Sequence, residues 1–142
     1  MAGKATAIAH GAVTIINAIA LGKGAAFGVD LWTKAEVELT DNVGVIEATI
    51  TSDPNETTML IESTVKRVLH RFKLEKSFGA KVKTASNIPI ARGLKSSSAA
   101  ANATALATVA ALGKNLEDIE IITLGIEAAF DAKVTVTGAY DD

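Results

Sequence analysis

The segment from Pro89 to Ala100, Pro-Ile-Ala-Arg-Gly-Leu-Lys-Ser-Ser-Ser-Ala-Ala, constrains this chain more than any other stretch. A proline ends an extended segment, Gly93 permits a close backbone approach, and Ser96, Ser97 and Ser98 open a helix. That helix is a run of Ala, Leu and Val from Ser98 to Leu112, halted at Gly113, and so apolar a helix is buried on most sides. A helix N-terminus leaves N–H groups unpaired and carries the positive end of the helix dipole. With small hydroxyls beside it, such an end suits a phosphate. The same serines also suit plain helix capping, and the local pattern leaves both readings open.

The rest of the chain offers little competing chemistry. It has 142 residues, about one domain. With one Trp, one Tyr and four Phe, its core has to be built from small and β-branched side chains. A formal net charge of −2 lacks the basic character of a nucleic-acid binder. The absence of cysteine excludes disulfides and thiolate metal sites, and His10 and His70 are too few and too far apart to suggest zinc. No apolar run approaches the ~20 residues of a membrane span. Lys4, His10 and Asn17 interrupt the apolar N-terminus, which reads as strand material rather than a secretory signal. A soluble, cytoplasmic protein is the expectation, with neither membrane nor nucleic acid as partner.

Along the chain, residues 4–20 read as two β segments meeting at Gly11, followed by a glycine-punctuated loop over 21–28. Residues 29–40 alternate as a half-buried strand, Asp41-Asn42 turns, and Val43 to Thr51 returns, which predicts an antiparallel first half. Asp53-Pro54-Asn55-Glu56 has the form of a capped helix start, with Ile61, Val65, Val68, Leu69 and Phe72 as the inner stripe. Lys66, Arg67, Arg71 and Lys73 then form a solvated face. A short strand at 80–85 leads into the serine segment. Asn115 to Asp118 caps a last helix with Ile119, Ile122, Ile126 and Phe130 facing inward, and 134–138 is extended. The chain closes on Asp141-Asp142 shortly after the turn-forming Gly138, and it is expected to be cut short there.

Two common phosphate motifs fail. A Walker loop needs glycine directly before Lys-Ser, and Leu94 stands there. Gly22-Lys-Gly24 has no helix start close behind it to complete a dinucleotide fingerprint.

The full string Pro-x-x-x-Gly-Leu-x-Ser-Ser-(Ser)-Ala-Ala closely resembles the central ATP-binding motif of the GHMP kinases. Gly3-Lys4, a β run and His10-Gly11-Ala12-Val13 resemble the family's N-terminal segment, and residues 17–31 are similar to the glycine-rich loop of its homoserine kinases. His10 to Ala20 and the terminal Thr137-Gly-Ala-Tyr-Asp-Asp resemble the archaeal-type shikimate kinase branch. The resemblance covers the whole chain but about half of a family enzyme. It implies an α+β domain, a mixed or antiparallel sheet packed against helices, also seen in ribosomal and other RNA-associated domains. Residues 1–142 would be the N-terminal domain, with the C-terminal one absent.

Carried over residue by residue, the resemblance implies that Pro89, Gly93, Leu94, Lys95, Ser96, Ser97, Ser98 and Ala99 bind ATP. Ser97 and Glu127 would hold magnesium. Asp141, or its neighbour Asp142, would orient or deprotonate the substrate hydroxyl, with Lys4 beside it to keep it ionised. The implied reaction is ATP-dependent phosphorylation of a small-molecule hydroxyl: shikimate first, homoserine or mevalonate as alternatives. A non-catalytic binding module is the reading from another class. Apolar surface left by a missing domain would favour a homodimer. His10 is expected to be structural.

Overall fold

The computed structural model describes residues 3–16, 18–90 and 93–133. The extended segment expected at 134–138 and the carboxylates Asp141 and Asp142 lie outside the described residues, as does Arg92. Seven elements follow in the order β1 (Lys4–Ile16), β2 (Ala25–Thr40), β3 (Ile46–Ile50), α1 (Met59–Arg71), β4 (Gly79–Ser86), α2 (Ser96–Ala111) and α3 (Asp118–Asp131). The fold is α+β, as expected: a four-stranded mixed sheet in the order β1-β2-β4-β3.

β1 is one strand rather than two. Its pairing with β2 slips by two residues between His10 and Ala12, where Gly11 alone faces three residues of β2, so Gly11 marks a bulge and not a break. β2 starts earlier than the alternation suggests, because Ala25 to Gly28 pair with the far half of β1. Only Thr33–Thr40 of β2 also pair with β4, so the distal β1–β2 pair continues as a two-stranded arm. That arm carries exposed Ile15, Ile16 and Phe27.

The return strand does not pair with β2. β3 runs parallel to β4, which inserts between them. The loop after β2 sets this order. Gly44 turns with φ +77°, its N–H bonds Phe78 O, and Ala80 N–H bonds Val45 O. Gly79 makes this docking possible, since a Cβ there would collide with the carbonyl oxygens of Asn42 and Val45. α1 is then the crossover that a parallel pair requires.

All three helices lie on one face of the sheet. α2 rests on β1 and β2, α1 lies beside it towards β3, and α3 sits on α1 and α2. Ala35, Val37 and Leu39 of β2 meet Ile61, Val65 and Leu69 of α1 and Ala103 and Ala107 of α2. Alanines on α2 bring that helix close to the sheet. Its other sides meet Val68, Ile121 and Leu124 through Ala105 and Val109, and Leu60 and Ala128 through Ala101. It is buried nearly all round, as its composition predicts. The outer face of the sheet is charged, with Lys4 opposite Glu38, Glu38 opposite Lys81 and Glu36 opposite Lys83.

Three local expectations are corrected. Asp53–Glu56 is a turn, not a helix start: Asn55 N–H bonds Asp53 Oδ1 at 3.2 Å and Glu56 N–H bonds Asp53 O at 3.1 Å. The aspartate side chain closes that turn, and α1 begins at Met59. The buried face of α3 is Ile121, Leu124, Gly125 and Ala128, whereas Ile119 and Phe130 are exposed. Gly125 decides this, because a Cβ there would lie 2.9 Å from Asn102 Oδ1 on α2. Finally, Arg67 and Arg71 do not merely face water; they bridge to Asp131 and Glu120 on α3.

Candidate nucleotide site

β4 delivers the chain to the serine segment along a fixed path. Ser86 Oγ accepts hydrogen bonds from Thr33 Oγ1 at 2.9 Å and Ile88 N–H at 3.1 Å, and donates to Trp32 O at 3.1 Å. Asn87 Oδ1 accepts from Trp32 N–H at 2.7 Å, and Asn87 N–H donates to Trp32 O at 3.1 Å. The turn after β4 is thereby pinned to β2. Beyond it, Gly93 (φ +72°) and Lys95 (φ 55°) both adopt the left-handed conformation, reversing the chain into α2. Glycine takes that conformation freely, whereas Lys95 adopts it at a cost of about 1 kcal/mol.

The helix cap falls on Lys95, so no serine occupies it. Ser96, Ser97 and Ser98 are the first three helical residues, where the N–H groups have no partner within the helix. No acidic residue stands in this first turn to offset the positive end of the helix dipole. Of the two readings of the serines, capping is not the arrangement found.

Ser96 and Ser97 open onto a cavity of about 380 Å³ between the helix layer and the end of the sheet. Its walls are largely apolar, from Ile50, Met59, Leu60, Ile88 and Ile90, with Pro89 at the same end. Asp53 and Glu56 supply carboxylates. Burial, and next the neighbouring Asp53, push the Glu56 carboxyl above its ordinary value. A flat, partly apolar ligand with an anionic tail fits such a site, the tail against the serine amides. Sequence patterns had given Asp53 and Glu56 to a helix cap and had not singled out Ile88 or Asn87. No residue pattern announces their meeting, because the fold brings together the turn before α1 and the turn after β4.

The other candidate positions distribute unevenly. Pro89, Ser96 and Ser97 line the cavity, while Gly93, Leu94, Lys95 and Ser98 belong to the loop and helix start behind it, and Ala99 is buried beneath. Lys4 is not brought to the site. Neighbouring Gly3 lies against Ala111 at the C-terminal end of α2, roughly 22 Å along the helix from Ser96 at 1.5 Å per residue. The Lys4 side chain joins Glu36, Glu38 and Glu47 on the outer face of the sheet, opposite the helices. Glu127 does not line the cavity either: its Oε2 lies 3.8 Å from Arg67 Nη1. Among the described residues no cluster of His, Asp or Glu could hold a metal ion by itself.

Residues 60–142 match the N-terminal domain of the GHMP kinases. The chain belongs to the GHMP kinase family. Solved structures of GHMP-type enzymes share its fold. A mevalonate kinase superposes with a TM-score of 0.80 over 96% of this chain and 50% of its own, at 19% identity. The homoserine kinase of Cytophaga hutchinsonii superposes with 0.80 over 99% and 45%, at 20% identity. Sequence relatives stand nearer. The shikimate kinase of Methanosarcina mazei is 56% identical over 136 residues, covering 96% of this chain and 46% of its own. That of Methanothrix thermoacetophila is 53% identical over 142 residues, covering 100% and 46%. This GHMP kinase chain thus spans about half the length of the curated relatives it matches.

Proposed function

We propose that residues 1–142 are the nucleotide-binding domain of a two-domain, ATP-dependent kinase that phosphorylates a hydroxyl of shikimate. The observation that carries this reading is the opening of Ser96 and Ser97, at the N-terminus of α2, onto the apolar-walled cavity. Shikimate as acceptor is supported by the names of sequence relatives 44–56% identical to the chain. Mevalonate and homoserine kinases are alike in fold alone.

The residues present fit ATP. Ile50, Leu60 and Ile88 offer an apolar wall to a base, and the amides of Ser96 to Ser98 offer donors to phosphate oxygens. Bound ATP and magnesium would supply the phosphoryl group and neutralise its charge. On the protein's side, the Ser97 hydroxyl, which lines the cavity, is proposed to join the metal shell, and Gly93, Leu94 and Lys95 shape the loop. Asp141 is proposed to receive the acceptor's proton, as a positioned carboxylate can. Lys4 and Glu127 take no part in this proposal, since one lies at the far end of α2 and the other faces Arg67.

Titration of Mg·ATP into the chain by calorimetry tests the nucleotide part. The expected result is saturable binding, weakened about tenfold or more by Ser97→Ala; no detectable binding would overturn it. For the acceptor, the two-domain form is assayed with shikimate, homoserine and mevalonate. Turnover of either of the last two, with none of shikimate, would sink the choice.

A further inference from the structure

The serine loop meets β1 at Gly11 and Ala12. Gly11 is buried at the bulge where the β1–β2 register slips between His10 and Ala12. β1 is an edge strand, and its Ala12 N–H donates to Leu94 O at 3.2 Å. A Cβ on Gly11 would lie 2.6 Å from that same oxygen and 3.2 Å from Ile88 Cδ1. The first contact is with backbone that has little room to yield, because Leu94 stands between Gly93 and Lys95, both left-handed. Any displacement of Leu94 passes through Lys95 directly into Ser96 and Ser97.

We propose that Gly11 is a positioning residue for the serine loop: its missing Cβ lets β1 hold Leu94 where Ser96 and Ser97 meet the ligand's phosphates. The sequence His10-Gly11-Ala12-Val13 therefore acts on the site through the loop without touching the ligand. The effect on ligand affinity rests on the ATP reading above; the effect on the loop does not.

The neighbouring strand supplies the control. Gly28 pairs with Ala12, and a Cβ there would meet only Gly11 O, at 4.0 Å. Gly11→Ala and Gly28→Ala make the same chemical change one strand apart, and only the first meets the loop. The test compares both variants with the parent chain by amide NMR shifts and by calorimetric titration with Mg·ATP. Gly11→Ala is expected to shift the amides of Gly93 to Ser98, leave those of α1 and β4 in place, and weaken Mg·ATP about tenfold or more. Gly28→Ala is expected to do neither. Unmoved loop amides, unchanged affinity, or equal effects from both variants would overturn the proposal. Should Gly11→Ala fail to fold, Ala12→Pro removes the donor to Leu94 from an edge strand, and the same two readouts apply. If the parent chain binds no Mg·ATP, the functional reading falls, and the loop amides alone decide this one: shifted supports it, unmoved refutes it.

Discussion

Arg67 on α1 grips Asp131 on α3 with two hydrogen bonds, Nε to Oδ2 at 2.6 Å and Nη2 to Oδ1 at 2.8 Å. Its other terminal nitrogen, Nη1, stands 3.8 Å from Glu127 Oε2. The hydrogen bond from Arg67 holds the Asp131 carboxyl below its ordinary value of 3.8. A depressed carboxylate stabilises the fold above its unfolded pKa and loses that contribution as pH falls through the folded value. Arg67→Ala is therefore expected to lower stability at neutral pH by about 1 kcal/mol, the upper end for exposed pairs. The deficit should shrink below about pH 4. Thermal melts of both proteins from pH 3 to 7 check this; a deficit independent of pH would refute it.

Glu56 titrates in the opposite sense. Its carboxyl is raised by burial and by Asp53, so its ionised form is disfavoured in the folded state. A raised carboxyl favours the fold at low pH and loses that advantage as pH rises through the folded value. Glu56→Gln is expected to raise the melting temperature slightly at pH 7 and to leave it unchanged near pH 3. The residue is mostly exposed, so the gain is small, on the order of a few tenths of a kcal/mol after solvent screening. A loss of stability at pH 7 would contradict the assignment.

Gly79 carries the topology. Alanine there would drive a methyl group into the carbonyl oxygens of Asn42 and Val45, which are backbone atoms of the loop that seats β3. Gly79→Ala is expected to cost about 3 kcal/mol or more, read as a drop in the urea midpoint. Gly44→Ala makes a useful contrast. Its Cβ meets nothing within 4 Å, so only the strain of φ +77° is felt, and the cost stays near 1 kcal/mol.

Most of the fold was legible in the sequence where composition or punctuation acted alone. The alanine run predicted a buried α2, Gly113 its end, and Pro89 to Ser98 the loop that feeds the site. The failures share a cause. On α3, the residues Ile119, Ile122, Ile126 and Phe130 make as good a stripe as the buried one, and periodicity cannot choose between two stripes. Contact with Asn102 through Gly125 chooses, and that information lies in another helix. Asp53-Pro54 fits a turn as well as a helix start, and which one forms depends on where Leu60 finds its core. Lys4, near the start of a long strand, lies a helix length from the serine loop, and its expected neighbour Asp141 lies outside the described residues. Asp53 and Glu56 meet in one local turn, but that the turn faces Ile88 and the serine loop depends on β3, α1 and β4 being assembled.

The place of β4 between β2 and β3 also sets an order of events. As the chain emerges during synthesis, β1 and β2 can pair once Thr40 is available. β3 follows directly but has nothing to bond until α1 has formed and Gly79–Ser86 has arrived. An early segment must therefore wait for a later one, the delay inherent in parallel pairing across a crossover. In pulse-labelled refolding, the amides of Ile46–Ile50 should gain protection together with those of β4. Protection of β3 in step with the β1–β2 pair, ahead of β4, would show that the strand finds some other early partner.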